Sequence, residues 1–168
     1  MCELKDMDHR ILFELMKNAH VSDRKLAQKL GSSQPTITRR RRKLEKEVID
    51  SYTIIPKWTK LGYNLLIFTL VKSQIHNSKE EYQSIENEGM KWVKKQPNIL
   101  MAGGCEGMGM TSFIISIHKT YGDYSEFIAK LRLALGNLMN ETQNIIVNLA
   151  AKHRIGKPFQ LRFFKEAK

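Results

Sequence analysis

Between Ser32 and Val48 the chain reads Ser-Ser-Gln-Pro-Thr-Ile-Thr-Arg-Arg-Arg-Arg-Lys-Leu-Glu-Lys-Glu-Val, and no other stretch restricts the fold as strongly. Ser32 or Ser33 offers an N-cap oxygen, and Pro35 falls in the first turn, where its missing N–H costs nothing. Ile37, Leu44 and Val48 recur at helical spacing and leave one narrow apolar stripe on a helix that is otherwise cationic. Between Ser33 and Glu47 lie six cations and two carboxylates. Short polar side chains followed by arginine and lysine suit a helix that enters a DNA major groove. On that reading Ser33, Gln34, Thr36 and Thr38 lie toward base edges, while Arg39, Arg40, Arg42 and Lys43 lie toward phosphates. A solvated basic face is the plainer alternative, and the neighbouring residues decide between them.

Those neighbours are helical. Asp6 to Asn18 is amphipathic, with Met7, Ile11, Leu12 and Leu15 on one face and Asp6 and Asp8 near the positive end of the helix dipole. Ser22 caps a second helix, Asp23 to Leu30, whose buried positions are Leu26, Ala27 and Leu30, and Gly31 ends it as a left-handed residue. Two helices, a short turn with glycine, and a polar-then-basic third helix make a helix-turn-helix. Beyond Val48, Ile49 to Pro56 is rich in β-branched and aromatic residues and predicts a short strand or wing. Lys57 to Tyr63 is a connector.

After Gly62 the period changes. Leu65–Ser73 is an almost continuously apolar strand. Ser78 to Lys95 is helical, with Tyr82, Ile85, Met90 and Val93 facing inward and Gly89 weakening its middle. Strands follow at Ile99 to Glu106 and Thr111 to His118, joined by a glycine-rich turn. A helix from Tyr124 to Leu138 uses Phe127, Ile128, Leu131 and Leu135. A last strand, Thr142 to Leu149, carries Ile145, Ile146, Val147 and Leu149. The order β-α-β-β-α-β predicts a ferredoxin-like α+β sandwich. The expected division is 1–50 helix-turn-helix, 51–64 wing strand and linker, 65–150 sandwich, and 151–168 a tail in which Phe159 to Phe163 alternates as an edge strand or a reaching arm.

Composition supports a polyanionic partner. The net charge is +11, and residues 1–62 hold 14 Lys/Arg against 8 Asp/Glu, with the excess concentrated in the one basic helix. No apolar run approaches the roughly 18 residues of a membrane span, and no signal-peptide pattern opens the chain. Cys2 and Cys105 form no disulfide framework or metal spacing, so a cytoplasmic protein is expected. His9, His20, His76, His118 and His153 are scattered without ligand spacing, and no cofactor or catalytic motif is present. The loop at 103–109 is not a phosphate-binding loop, because no Gly-Lys-Ser/Thr follows and a strand comes next.

Taken together, Asp8 with Arg10-Ile11-Leu12, Leu26-Ala27 with Leu30-Gly31, Ser33, Thr36, Arg39-Arg40, Leu44-Glu45, Val48-Ile49, Tyr52-Thr53 and Leu61-Gly62 resemble the Lrp/AsnC (leucine-responsive, feast/famine) regulators of bacteria and archaea. The resemblance implies a winged helix-turn-helix domain that binds double-stranded DNA, joined to a dimerising sandwich (RAM-like) domain that in this family often binds amino acids or related metabolites between subunits. It implies a homodimer, with further assembly of dimers open. Siroheme decarboxylases resemble the same family, so an enzyme or a ligand sensor on this scaffold is the alternative, opposed by the intact basic helix.

Three positions depart from the family pattern. Arg41 replaces a residue that is usually aliphatic, so its stem is expected to run along apolar surface while the guanidinium meets an acid or a phosphate. Glu47 replaces the glycine that commonly ends the recognition helix. In the loop the family tends to carry Gly-x-x-Asp near the effector site, whereas here Gly107 is followed by Met108, Gly109 and Met110. The candidate effector residues are therefore Gly104, Glu106, Gly107, Met108, Gly109 and Met110, with no acid at the family's position to pair with a ligand ammonium. The plainer reading of this loop is a tight β-hairpin turn with a bulge.

Overall fold

The computed structural model describes residues 4–74 and 78–151, and of residues 79–82 the backbone alone. The chain divides into two units, the first ending at Ile55 and the second beginning at Pro56.

The first unit is three helices: α1 (Asp6–Lys17), α2 (Asp23–Leu30) and α3 (Gln34–Glu47). Each start and stop has a local cause. The Ser22 hydroxyl accepts the Lys25 N–H at 3.3 Å at the start of α2, and Gly31 closes that helix at φ +66°, a conformation that costs a side-chain-bearing residue. The Ser33 hydroxyl accepts from the Thr36 N–H at 3.4 Å, and Pro35 occupies the first turn of α3. The three helices close over Ile11, Leu15, Leu26, Ala27, Leu30, Ile37 and Leu44. Val48, expected on this stripe, is instead the exposed C-cap, and Ile49 packs against the core in its place. With Glu47 where a glycine was expected, α3 ends without a left-handed residue, Val48 adopting φ −132° and ψ −38°.

The expected wing strand does not form. Residues 50–57 carry no strand, and Tyr52, Ile54 and Ile55 are exposed. Their β-branched composition describes a side-chain preference, but a strand needs a partner for its backbone, and the described chain offers none there. Within the connector, Trp58–Leu61 makes a single 3₁₀ turn, closed by Gly62 at φ +83°.

The second unit is β1 (Leu65–Ser73), α4 (Lys79–Lys94), β2 (Ile99–Gly107), β3 (Met110–His118), α5 (Tyr121–Leu135) and β4 (Met139–Asn148). The antiparallel sheet has the order β2-β3-β1-β4, the ferredoxin-like arrangement that the sequence predicted. Helix α5 starts three residues earlier than the apolar pattern suggested. Thr120 and Asp123 form a reciprocal capping box, each side chain accepting the other's N–H at 3.1 Å.

Side-chain direction sorts the sheet into two faces. Directly paired residues point the same way, so Ile67 with Ser116 and Thr69 with Ile114 lie on the side that meets α5 through Tyr124, Phe127, Ile128, Leu131 and Leu135. On α4, Trp92 rather than Met90 reaches this core: Met90 is exposed, while the Trp92 and Phe127 rings stand 5.8 Å apart. Tyr82, expected inward, and the tail at 152–168 lie outside the described side chains. Beneath α5 the buried His118 ring meets the Tyr124 and Phe127 rings at 5.6 and 5.1 Å, and its Nε2 lies 2.9 Å from the Ser116 hydroxyl. Burial pushes this imidazole below its ordinary pKa, against the opposing pull of Asp123, so the neutral ring is the form that fits the core.

The opposite face carries Leu66, Phe68, Leu70, Phe113 and Ile115, joined on β4 by Ile145. No helix of the described chain covers it. Ile145 and Ile146 are 54% and 44% exposed: Ile145 lies on the uncovered face, while Ile146, paired with Ile67, lies on the helix-facing side at the sheet edge. Among the described residues, no helix is long and apolar enough to cross a membrane.

Candidate nucleic-acid interface

Helical phase divides the four consecutive arginines of α3. Successive residues are turned by about 100°, so a basic run cannot present all its charges to one partner. Arg39 and Arg42 are exposed and, with Gln34, Pro35 and Thr38, line one shallow concavity. Among the described residues neither arginine has an ion-pair partner. Lys43 is exposed beside Glu47, at 3.9 Å.

Arg40 and Arg41 turn the other way. The Arg40 Nη1 donates to the Asp8 carboxylate at 2.8 Å, tying α3 to α1. Asp8 is almost fully buried and also accepts the Lys5 N–H at 3.0 Å. Burial alone would raise its carboxyl pKa, but the Arg40 guanidinium and the Lys5 amide together hold it below the ordinary carboxylate value. The Arg40 Nε is itself buried with no acceptor among the described residues. Arg40 was expected at a phosphate; its guanidinium is instead committed to the interior, and it leaves the set of outward-facing cations.

Arg41 takes the snorkelling course. Its Nη1 donates to Asp23 at 3.1 Å and to the Val21 carbonyl at 3.0 Å, and its Nε donates to Glu45 at 3.0 Å. Glu45 also accepts the Tyr52 hydroxyl at 2.8 Å. The guanidinium thus joins the α1–α2 turn, the start of α2, α3 and the segment after it.

The polar residues at the start of α3 divide in a similar way. Gln34 is exposed, with no side-chain hydrogen bond among the described residues. The Thr36 hydroxyl lies 2.8 Å from that of Ser33, so these two serve the cap. The Thr38 hydroxyl donates to Asp23 at 2.6 Å, which fixes one edge of the concavity while turning the hydroxyl proton inward. Sequence spacing had set Ser33, Gln34, Thr36 and Thr38 toward base edges and Arg39, Arg40, Arg42 and Lys43 toward phosphates. The fold leaves Gln34, Arg39, Arg42 and Lys43 as its projecting members. Sequence reasoning did not single out Asp23, although an acid fifteen residues before Thr38 at a helix N-terminus was the available signal.

The loop singled out for an effector is a hairpin. Gly107 pairs with Met110, leaving Met108 and Gly109 as the turn at φ +53° and +71°, both in the left-handed region of a type I′ turn. A register irregularity between Gly104 and Gly107 marks the expected bulge. Glu106 to Gly109 stand exposed at the tip, whereas Met110 is buried at the start of β3. Gly104 lines a half-open recess under α4, and of the other five candidates none does.

Residues 4–45 match the AsnC-type helix-turn-helix domain. The leucine-responsive regulatory protein of Rhizobium meliloti is 39% identical over 70 residues, a match spanning 41% of this chain and 45% of that protein. The chain thus spans about half the length of that curated relative. The HTH-type transcriptional regulator FL11 of Pyrococcus furiosus aligns over 97% of this chain and 93% of its own length at 23% identity. A transcriptional regulator of Neisseria meningitidis, solved in complex with L-Met, superposes with a TM-score of 0.76 over 93% of this chain and 97% of its own, at 19% identity. Residues 4–45 are therefore an AsnC-type helix-turn-helix domain, and the chain as a whole, with the ferredoxin-like α+β domain that follows, shares the fold of that solved regulator.

Proposed function

We propose that the protein is a dimeric DNA-binding regulator of transcription that reads double-stranded DNA with the outward stripe of α3. The observation that carries this is the stripe itself: Gln34, Arg39 and Arg42 around one concavity on an N-capped helix, with no acid projecting between them. Gln34 lies at the helix start, where it suits a base edge; Arg39 suits a guanine edge or a phosphate; Arg42 and Lys43 suit phosphates. A duplex from the chain's own upstream region, titrated at low salt against a random duplex of equal length, is expected to bind more tightly and with a steep salt dependence. Equal, salt-insensitive binding of both duplexes would overturn the reading.

Dimerisation belongs to the second unit in this proposal. A sheet face bearing Leu66, Phe68, Leu70, Phe113, Ile115 and Ile145 needs cover, and a twofold copy supplies an identical apolar face. The full chain is expected to sediment as a dimer at micromolar concentration, and Ile115→Glu, at the centre of that face, to shift it to monomer while far-UV circular dichroism stays unchanged. A wild-type chain that sediments as a monomer removes the dimer from the proposal and leaves the α3 assignment standing.

For a small-molecule effector, the hairpin lacks an acid at Met110, whose side chain is buried. Regulation by a free amino acid through an ammonium contact at this position is therefore not part of the proposal.

A further inference from the structure

Helix α4 presents Ile85, Gly89 and Val93 at four-residue spacing toward the sheet, and the middle member has no side chain. Below it, Gly104 of β2 lies on the same helix-facing side as its partner Ser112. Two glycines so placed leave a half-open recess of about 150 Å³, walled by Val71, Leu131 and Leu135. A Cβ at Gly89 would meet no atom within 4 Å, and one at Gly104 would meet only the Thr111 carbonyl, at 3.8 Å. Glycine is, after proline, the least favourable residue for a helix interior, so the emptiness is maintained at a position where almost any other residue would improve the helix.

The lining is mostly apolar, with a polar cluster at Ser73 and Thr111. There the Ser73 and Thr111 hydroxyls are bonded to each other at 2.7 Å, and the Thr111 hydroxyl donates to the Val71 carbonyl at 3.2 Å. Ser112 also lines the recess, and the exposed Glu86 stands at its opening, without a partner among the described residues.

We propose that this cavity is a binding site for a small primary amine with a compact branched or aromatic body, the hydrocarbon filling the space under Gly89 and the ammonium meeting Glu86. A cavity of roughly this volume accepts a molecule about the size of benzene, and an unpaired carboxylate at the open end selects a cation over a neutral or anionic head. The site is separate from α3 and from the hairpin tip, and it does not depend on the DNA-binding reading.

The test is a thermal-shift titration of the full chain with isoamylamine, benzylamine, isoamyl alcohol and isovalerate at millimolar concentrations. The amines are expected to raise the melting temperature saturably and to bind at least tenfold more tightly than isovalerate. Glu86→Gln should erase that preference, and Gly89→Leu should abolish the response while raising the melting temperature of the free protein, because it fills the space. Should Gly89→Leu fail to fold, amide chemical-shift changes on adding isoamylamine to the wild-type chain locate the site instead, and they are expected to centre on Val71, Gly104 and Leu131. The proposal is overturned by no saturable shift with either amine, by equal binding of amine and acid, or by a response that Gly89→Leu or the shift map places elsewhere.

Discussion

Replacing Arg39 and Arg42 together by alanine is expected to collapse DNA affinity and flatten its salt dependence. Each phosphate contact contributes about 0.9 to the slope of log affinity against log salt concentration. A dimer that loses both arginines on each subunit loses four contacts, so the slope falls by about 3.6, and counterion release then predicts a loss of three to four orders of magnitude at ~0.1 M salt. Both side chains are exposed and without ion-pair partners among the described residues, so their removal is expected to leave the melting temperature close to that of the wild-type chain. Gln34→Ala should behave differently, altering the preferred base pair at a cost of about 1–3 kcal/mol while leaving the slope unchanged. Fluorescence-anisotropy titrations across a salt series measure all three variants. An unchanged slope in the double variant would remove α3 as the phosphate-binding element.

The second large effect is on stability. Arg40→Ala leaves the Asp8 carboxylate, at 3% side-chain exposure, without its cation. Stranding a buried charge costs about 3–5 kcal/mol, and the lower end applies because Arg40 is itself 24% exposed and the Lys5 N–H still holds one carboxylate oxygen. For a domain of this size a loss near 3 kcal/mol lowers the melting temperature by more than about 10 °C. The pH dependence gives a separate signature. In the wild-type chain the Asp8 carboxyl is held below its ordinary value, so its contribution is present above the unfolded carboxyl pKa and is lost as pH falls through the folded one. In the variant burial is no longer countered by the guanidinium and the carboxyl moves up, so protonation relieves the stranded charge. The gap between the two proteins should therefore narrow on acidification, beginning above the ordinary carboxyl value of about 4 and continuing below it. Replacing both partners by apolar residues, Asp8→Leu with Arg40→Met, should restore much of the stability, because nothing charged is then left inside. Urea or thermal melts across pH measure this, and a pH-independent gap would show that the pair carries no buried charge.

These two results together separate a run that looks uniform in sequence. Arg39, Arg40, Arg41 and Arg42 are indistinguishable as letters. Their different fates follow from the turn per residue and from the acids that α1 and α2 bring underneath, Asp8 below Arg40 and Asp23 below Arg41. The acid at position 8 was visible in the sequence as a favourable charge near a helix N-terminus. Its partner thirty-two residues away was not, because local periodicity carries no information about which faces of two helices meet. Thr38 is similar: its polarity suggested a base edge, and the hydroxyl is spent on Asp23.

What the sequence determined by itself was the order and type of elements. Apolar spacing, the caps at Ser22 and Ser33, the left-handed Gly31 and the glycine-flanked turn at Met108 are local signals whose energies are settled within a few residues, and they fixed three helices followed by β-α-β-β-α-β. Tertiary structure decided what those elements face. It withheld a strand from the β-branched segment after Val48, since the described chain gives that backbone nothing to pair with. It set Trp92 rather than Met90 into the core and opened a space beneath Gly89. It also turned two of four arginines inward. Each of these depends on which distant surface arrives opposite a residue, and the packing of the whole chain, not the spacing along it, supplies that surface.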